Sequence, residues 1–486
     1  MGNSYLETNF APVREELTIT DLAVTGTIPD HLDGRYLRNG PNPISEVDPA
    51  TYHWFLGDGM VHGVRLRDGK AQWYRNRWLR SPGVAAALGE PVPGRRGSAP
   101  ITSLGANTNV IAHAGRTLAL VEGGVANYEL TDELDTVGPC DFDGTLPGGY
   151  TAHPKRDPAT GELHAVSYFF GWGNRVRYSV IDPRGRARRT VDIPVTGSPM
   201  MHDFSLTEKY VIFYDLPVVF DAAQAVADIP MPRALRAPAK LVLSALVGKV
   251  KVPDPVNATL GRSIPSNGRM PYRWDPRYPA RIGVMPREGG ADDVRWFDVE
   301  PCYVFHPLNA YDESDGLTDT VVLDVVRHPK MFQTDLHGPN EGPPTLDRWT
   351  VDLADGKVRE SRLDDHPQEF PRVDERLVGR RHRYGYAAGF GPAGRPGALL
   401  RHDLATGRTD SCTLGGGREF GEFVMVPSAP DAAEDSGVLI GFTYNTETGR
   451  SDLTMLDAQT LELVAAVHLP ARVPNGFHGN WAPTQP

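Results

Sequence analysis

The sequence has 486 residues, of which 40% are hydrophobic and 23% charged, which is the composition of a soluble globular protein with a sizeable core. Its formal net charge of −11 argues against nucleic acid as the main partner, because phosphate binding requires a basic surface. Three scattered cysteines, Cys140, Cys302 and Cys412, exclude a disulfide framework and a thiolate-bound metal, and they fit a reducing compartment.

The N-terminal residues Met1 to Leu6 have no basic stretch leading into an apolar one, so they predict no secretory signal. No uninterrupted apolar run approaches the ~20 residues that span a bilayer. We therefore expect a cytoplasmic protein, at most peripherally bound to membranes, and no obligate protein partner is evident.

Short β-branched and aromatic runs, separated by 51 glycines and 43 prolines, indicate an all-β protein. In chain order, the predicted strands are 116–121, 162–170, 210–216, 319–327, 437–444 and 462–468.

Similar tight turns recur along the chain, each beginning with an aspartate. They start at Asp352, Asp403 and Asp457, which are 51 and 54 residues apart, and related turns occupy 157–162 and 182–187. A four-stranded unit every 40–50 residues, roughly, is typical of a β-propeller blade, although such hairpins are common in any β protein. No linker is evident, so we predict a single domain spanning 1–486.

Residues 221–250 interrupt this pattern of short strands and turns, because they are rich in alanine and leucine and lack strand alternation. From Ala239 to Val250 they predict a short amphipathic helix with Leu241, Leu243 and Leu246 on its apolar face. We interpret this segment as an apolar helical insertion between blades.

Four of the 15 histidines have a distinctive setting. His153, His202, His306 and His478 lie next to apolar and small residues at the ends of predicted strands, with long gaps between them. The inner strands of a propeller point at one axis and can bring such positions together. Their spacing proves nothing alone, since the sequence has no HxxH or HExxH motif.

Ten ordered blocks carry a resemblance to the carotenoid cleavage oxygenase family over nearly the whole chain. They are GRYLRNGPNP (34–43), HWFLGDGMVHG (53–63), ANTNV (106–110), LVEGG (120–124), TAHPKRD (151–157), MMHDFSLTEKYVIF (200–213), WFDVEPCYVFHPLNAYDE (296–313), EFPRVDERLVGRRHRYGY (369–386), GEFVMVPS (421–428) and GFHGNW (476–481). The chain is most similar to the bacterial carotenoid- and apocarotenoid-cleaving members. The resemblance implies a seven-bladed β-propeller, with a small helical and loop cap over one face, and one Fe(II) per chain on its axis.

The resemblance also implies individual roles. It makes His153, His202, His306 and His478 the catalytic iron ligands, and it places acidic partners of these histidines at Glu122, Glu369 and Glu422. Thr108 matches a residue that obstructs one coordination position in some members, and Val121 and Phe305 are expected to border the cavity. Two positions depart from the family's pattern, Leu56 for an aspartate and Asn475 for an aromatic residue, and both are expected to affect the cavity or local packing.

The implied reaction is the cleavage by O₂ of one conjugated C=C bond of a carotenoid or apocarotenoid, giving two aldehyde or ketone products, retinal-type ones among them. Four neutral imidazoles do not select iron by themselves, so the metal follows from the resemblance. The alternative within the family is a lignostilbene-type dioxygenase. Those enzymes carry a lysine immediately before the first acidic partner, where this sequence has Val121. Two other hypotheses are a non-enzymatic propeller that binds proteins and an isomerohydrolase of retinoid esters.

A polyene that is insoluble in water has to be met at a membrane surface. The apolar side chains Leu241, Leu243, Leu246 and Val250 predict a patch that dips into the bilayer. Packing of the same helix against the propeller is the alternative. The net charge of −11 predicts shallow and reversible attachment.

Overall fold

The computed structural model describes residues 2–94, 105–227, 232, 236–239, 241, 243, 270–314, 319–335, 337–339, 341–391 and 394–484. The strands of the first half are β1 (Thr18–Ile19), β2 (Val24–Gly26), β3 (Gly34–Pro41), β4 (Gly59–Arg67), β5 (Lys70–Trp78), β6 (Asn109–His113), β7 (Arg116–Leu120), β8 (Asn127–Leu130), β9 (Thr136–Cys140), β10 (Lys155–Arg156), β11 (Leu163–Tyr168), β12 (Arg175–Ile181), β13 (Ala187–Pro194), β14 (Phe204–Leu206), β15 (Tyr210–Asp215) and β16 (Val218–Phe220). Those of the second half are β17 (Tyr272–Trp274), β18 (Arg281–Pro286), β19 (Arg295–Asp298), β20 (Tyr303–Ser314), β21 (Asp319–His328), β22 (Thr345–Asp352), β23 (Lys357–Asp364), β24 (Gln368–Arg372), β25 (Tyr384–Phe390), β26 (Pro396–Asp403), β27 (Arg408–Cys412), β28 (Arg418–Pro427), β29 (Gly437–Asn445), β30 (Arg450–Asp457), β31 (Leu463–His468) and β32 (Gly479–Pro483).

The helices whose bounds lie within the described residues are short. They are α1 (Pro82–Leu88), α2 (Ala222–Ala227) and the 3₁₀ turns Ser4–Leu6, Thr8–Phe10, Trp54–Leu56, Phe170–Trp172, Ala291–Asp293 and Glu375–Leu377. In the part of the chain that the structure describes, no helix has the length and apolar character needed to cross a bilayer.

Seven antiparallel sheets of four or five strands form the predicted seven-bladed β-propeller. Blade 1 is β6–β9, blade 2 is β10–β13, blade 3 is β14, β15, β18 and β19, blade 4 is β20–β23, and blade 5 is β24–β27. Blade 6 joins β2 to β28–β31, and blade 7 joins β1 and β3–β5 to β32. The innermost strands β6, β10, β14, β20, β24, β28 and β32 surround the axis, where most of them contact the innermost strand of a neighbouring blade.

The ring is closed by both chain ends. In blade 7 the late strand β32 pairs with the early strand β3, with Arg38 opposite Gly479. In blade 6 the early strand β2 pairs with the late strand β31, with Val24 opposite Val467. These two seams join the beginning and the end of the described chain by backbone hydrogen bonds within blades 7 and 6.

The six predicted strands are confirmed as β7, β11, β15, β21, β29 and β31, with ends that differ by at most two residues. The repeat is confirmed as well. Asp352, Asp403 and Asp457 each begin the turn between the third and fourth strands of consecutive blades. In each turn the aspartate carboxylate accepts backbone N–H groups two or three residues ahead, which is the reason for this residue type there.

The prediction that the 221–250 insertion lies between two blades is wrong. It lies within blade 3, in the part of the chain that connects β15 to β18. The insertion follows β16 and precedes β17, and these two strands pair with each other as a two-stranded ribbon. Residues 236–239, 241 and 243 are helical, so the helix begins before the predicted Ala239, and positions 244–250 lie outside the described residues.

Candidate metal centre

All seven innermost strands deliver one of the predicted site residues to the axis. Thr108, His153, His202 and His478 each lie one or two residues before an innermost strand, namely β6, β10, β14 and β32. The other three, His306, Glu369 and Glu422, lie within β20, β24 and β28.

The three residues within strands coincide with breaks in the pairing. The register shifts between Val304 and Pro307 around His306, between Glu369 and Arg372, and between Phe420 and Phe423 around Glu422. Such bulges bend a strand and turn a side chain away from the regular alternation. Local backbone irregularity therefore aims these groups at the axis.

His153, His202, His306 and His478 are all buried, and one ring nitrogen from each lies within 4.8 Å of the others. Nε2 of His202 is 3.2 Å from Nε2 of His306, and the buried Nε2 of His153 has no hydrogen-bond partner among the described residues. A buried nitrogen without a partner costs free energy, and four converging imidazoles are a suitable donor set for a divalent transition metal. The four side chains therefore fit a metal ion.

Three of these histidines have a carboxylate at Nδ1, two of them buried and that of Glu122 partly exposed. His306 lies 2.6 Å from Oε2 of Glu369, and His478 lies 3.0 Å from Oε1 of Glu422. Nδ1 of His202 lies 2.8 Å from Oε2 of Glu122, although this pair is not aligned as a hydrogen bond. Contacts of this kind fix the tautomer of an imidazole and turn its other nitrogen inward.

His153 differs from the other three. Its nearest carboxylate, that of Asp203, is 3.9 Å from Nδ1 and is engaged instead by Lys155 at 3.0 Å. Among the described residues, no glutamate lies within 4.0 Å of a ring nitrogen of His153. Asp203 and Lys155 were not predicted.

The electrostatics of the cluster favour neutral imidazoles at two positions. Burial, reinforced by the other three histidines, holds the pKa of His153 well below its usual value, and burial also lowers the pKa of His306. Burial is also the largest single effect on His202 and lowers its pKa, but Glu122, Asp203 and Glu369 together outweigh it, so the pKa of His202 is raised. Burial would raise the pKa of Glu422, but His478 and Arg372 lower it, so this carboxylate is ionised.

Steric constraints explain two glycines in the sequence blocks that carry the family resemblance. Gly479, which follows His478, donates its N–H to Oε2 of Glu422 at 2.7 Å. A Cβ on Gly479 would lie 2.5 Å from the hydroxyl oxygen of Tyr36. Gly124, two residues after Glu122, has φ of +80° and would place a Cβ 2.4 Å from the ring of Phe169. Both positions therefore exclude larger residues.

A mostly apolar cavity of about 710 Å³ opens on one side of the cluster. His202, His306 and His478 form part of its wall, together with Thr108, Val121 and Phe305, the three residues predicted to border a cavity. Its remaining lining is rich in aromatic rings, including Phe55, Tyr168, Phe170, Tyr272, Phe370 and Phe477.

Both departures from the family's pattern, Leu56 and Asn475, also line this apolar cavity. Asn475 binds the N-terminal segment: its amide oxygen accepts Nδ2 of Asn9 at 2.7 Å, and its backbone N–H donates to the carbonyl of Asn9. Tyr5 and Phe10 of that segment then form part of the cavity wall. An aromatic residue at 475 would lack the side-chain contact and could keep only the backbone one.

A second cavity, of about 410 Å³, lies on the other side of the cluster and is more polar. Lys155, Arg156, Asp203 and Arg372 line it, and His153, His306 and His478 form its wall toward the axis. The histidines therefore separate two compartments of different character.

The acidic residues have further partners that sequence reasoning missed. Burial and then the charge of Glu122 hold the pKa of the Tyr168 hydroxyl well above its usual value. Nε2 of His328 lies 2.9 Å from Oε1 of Glu369, and Arg372 lies 3.6 Å from Glu422. Arg372 lies within the block 369–386 and Tyr168 lies outside every block, but nothing local in the sequence marks either as a partner of a glutamate. His328 stands in RHPK, outside every block.

Of the predicted membrane residues, Leu241 is 72% exposed and Leu243 is half-buried. Leu246 and Val250 lie outside the described residues.

Fold and site together define a β-propeller with four converging histidines on its axis, a donor set suited to a metal ion, facing an apolar cavity. Residues 10–483 match the family described as RPE65, retinal pigment epithelial membrane protein. A carotenoid cleavage oxygenase of Mycobacterium tuberculosis is 60% identical, with 99% of this chain and 98% of that protein covered. The chain therefore belongs to the RPE65/carotenoid cleavage oxygenase family, as the sequence blocks predicted.

Two solved structures share the fold over almost their whole lengths. One is cobalt-substituted apocarotenoid oxygenase (ACO) of Synechocystis, with a TM-score of 0.78, 27% identity and 97% of both chains covered. The other is lignostilbene dioxygenase of Pseudomonas brassicacearum, with a TM-score of 0.79, 27% identity, and 99% of this chain and 98% of that chain covered.

Proposed function

We propose that this protein is a non-haem Fe(II) dioxygenase that cleaves one conjugated C=C bond of a carotenoid or apocarotenoid. Both atoms of O₂ enter the two aldehyde or ketone products, so no separate reductant is required. The observation that carries the proposal is the buried four-histidine cluster in the wall of an apolar cavity. Membership of the family and the M. tuberculosis relative's name support this choice of reaction.

His153, His202, His306 and His478 hold the iron in this proposal, one Fe(II) per chain. When bound, the iron supplies the binding and activation of O₂. Glu122, Glu369 and Glu422 orient the histidines on which they act and offset the charge of the ion, since the imidazoles are neutral ligands.

The remaining cavity residues bind and orient the substrate. Val121, Phe305 and the surrounding rings remove the polyene from water, which stabilises binding by about 25 cal/mol per Å² of apolar surface buried. Thr108, whose hydroxyl donates to Oδ1 of Asn107 at 2.9 Å, limits access to one side of the metal. Exclusion of water from this side also keeps the reacting bond away from competing nucleophiles.

Stilbene cleavage is the alternative reaction, and the lignostilbene dioxygenase fold supports considering it. A phenolate requires a cation or a hydrogen-bond donor in the cavity. Position 121, where the resemblance places a lysine in stilbene-cleaving members, is a valine that is 95% buried here. The apolar side chain favours a hydrocarbon polyene.

We also propose that the chain works as a single domain spanning 1–486, whose 221–250 insertion attaches it peripherally to membranes. The support is the exposure of Leu241 on a helical segment that leaves blade 3 beside Tyr272, a residue of the apolar cavity. A polyene dissolved in a bilayer would then reach the cavity without crossing water.

The test is to incubate the iron-loaded enzyme under ¹⁸O₂ with a panel of carotenoids, apocarotenals and phenolic stilbenes. We expect two labelled carbonyl products from a polyene, and loss of turnover when a chelator removes the iron, with recovery on adding Fe(II). Turnover of stilbenes alone would assign the alternative reaction. Full turnover by metal-free protein would reject the iron site.

A further inference from the structure

We infer that His328 is a positioning residue for the metal centre, acting through Glu369 on His306. This inference rests on the proposed function. His328 is the last residue of β21, is 97% buried, and lies outside the four-histidine cluster.

The two oxygens of Glu369 are shared between two imidazoles. Oε2 is 2.6 Å from Nδ1 of His306 and accepts the backbone N–H of Phe370 at 2.5 Å. Oε1 is 2.9 Å from Nε2 of His328. Because an ionised carboxylate only accepts hydrogen bonds, His328 donates in this pair. The carboxylate is thus held at both oxygens and cannot rotate without losing a bond.

The backbone beside Glu369 has a conformation that its surroundings must hold in place. Phe370 has φ of +55°, a left-handed conformation that is uncommon for a bulky residue, and the pairing of β24 with β25 is irregular at this point. A side chain on a bulged strand is not aimed by regular pairing alone. His328, which comes from the neighbouring blade 4, supplies the missing constraint.

His328 also faces the apolar cavity. Its ring forms part of the wall, and Phe305 lies edge-on against it, with centroids 5.3 Å apart. The same Phe305 ring lies edge-on to His202, at 5.1 Å. A substrate in the cavity therefore contacts the residue that orients Glu369, whereas Glu422 receives its second hydrogen bond from the backbone of Gly479.

The experiment compares His328→Gln, which keeps an N–H donor, with His328→Phe, which fills the space without one. The matched control is His402→Phe, because His402 is also buried and binds the neighbouring residue of the same strand, Gln368, at 2.7 Å. The apo forms are titrated with Co(II), and the visible spectrum of the bound Co(II) reports ligand geometry. Thermal unfolding of each apo form checks its fold.

We expect His328→Phe to weaken Co(II) binding by about tenfold or more and to change the spectrum, as removal of outer partners of metal ligands does. His328→Gln and His402→Phe should stay within about threefold of the wild type. Wild-type affinity and spectrum in His328→Phe, or equal losses in His328→Gln and His328→Phe, would overturn the inference. These readouts need no turnover, so a wrong substrate assignment would leave them unaffected.

Discussion

The two cavities on either side of the histidine cluster share a wall but differ in chemistry. His306, His478 and Glu422 border both. One side is lined mainly by aromatic and aliphatic groups, while the other has paired charges such as Lys155 and Asp203. A hydrocarbon gains more free energy by entering the first, so the centre lies where a mostly apolar compartment meets a more polar one. Changes on the apolar side should alter turnover, and changes on the polar side should mainly alter stability.

The largest effect should come from removing a histidine of the cluster that separates the two cavities. We expect His202→Ala or His478→Ala to lose iron and to lower kcat/KM by more than about 100-fold, beyond what changes to outer partners cause. The blades should persist, because their strands pair elsewhere. Iron per chain and thermal unfolding are measured beside His366→Ala, whose side chain is 62% exposed. Full iron and turnover in either variant would make the ligand assignment wrong.

Changes to the glutamates that lie at Nδ1 of three of these histidines should have the next largest effect. Glu369→Gln keeps a hydrogen-bond acceptor but removes the charge that offsets the metal, so we expect iron affinity or turnover to fall about 10- to 100-fold. Glu122→Gln and Glu422→Gln should act in the same direction. Glu375→Gln is the control, since this exposed glutamate also pairs with Arg372 but does not contact a histidine of the cluster. Unchanged kinetics in all three variants would disprove the role.

A charge placed on the apolar side should reduce cleavage of polyenes. We expect Val121→Lys to lower kcat/KM for a carotenoid by at least about tenfold, because an ammonium there must be desolvated, and to raise the relative rate on phenolic stilbenes. Val121→Ile should change both rates little. If Val121→Lys cleaves carotenoids as well as the wild type, the apolar cavity is not the substrate site.

A smaller effect is expected at the helical segment of the insertion. Leu241→Asp with Leu243→Asp should lower liposome binding and cleavage of membrane-embedded carotenoid by about fivefold, since shallow attachment buries only part of each side chain. Turnover of a short, more soluble apocarotenal should persist. An equal loss on both substrates would mean that the segment is structural.

The smallest effect on turnover should come from the polar side. Lys155→Met leaves the buried carboxylate of Asp203 without its cation, so we expect a loss of about 1–3 kcal/mol in the free energy of unfolding. We expect kcat/KM for carotenoid to change by less than about threefold, a factor that corresponds to under ~1 kcal/mol. Lys330→Met, at an exposed position, is the control in urea unfolding. A large rise in KM would contradict the division between the two cavities.

Sequence patterns predicted what depends on local order. Runs of β-branched and aromatic residues located β15 and β21, and the repeated aspartate turns indicated the blade period. The four histidines came from motifs rather than from spacing. What escaped prediction depends on contacts between distant segments. His328 contacts Glu369 from another blade, and Asn9 bonds with Asn475, which is 466 residues further along the chain. The position of the insertion within blade 3 follows from the pairing of β16 with β17. No window of sequence contains both partners.

The pairing of β3 with β32 links the folding of the propeller to the completion of the metal site. His478 directly precedes β32, so it joins the other three histidines only when β32, the last strand, pairs with β3 near the start of the chain. Contacts at such long sequence separation form slowly, because chain entropy is lost before they stabilise the fold. Closure of the ring and completion of the centre are then one event during biogenesis. A metal that binds only the closed ring stabilises that seam by mass action, so iron supply should govern how much of the newly made chain reaches its native form.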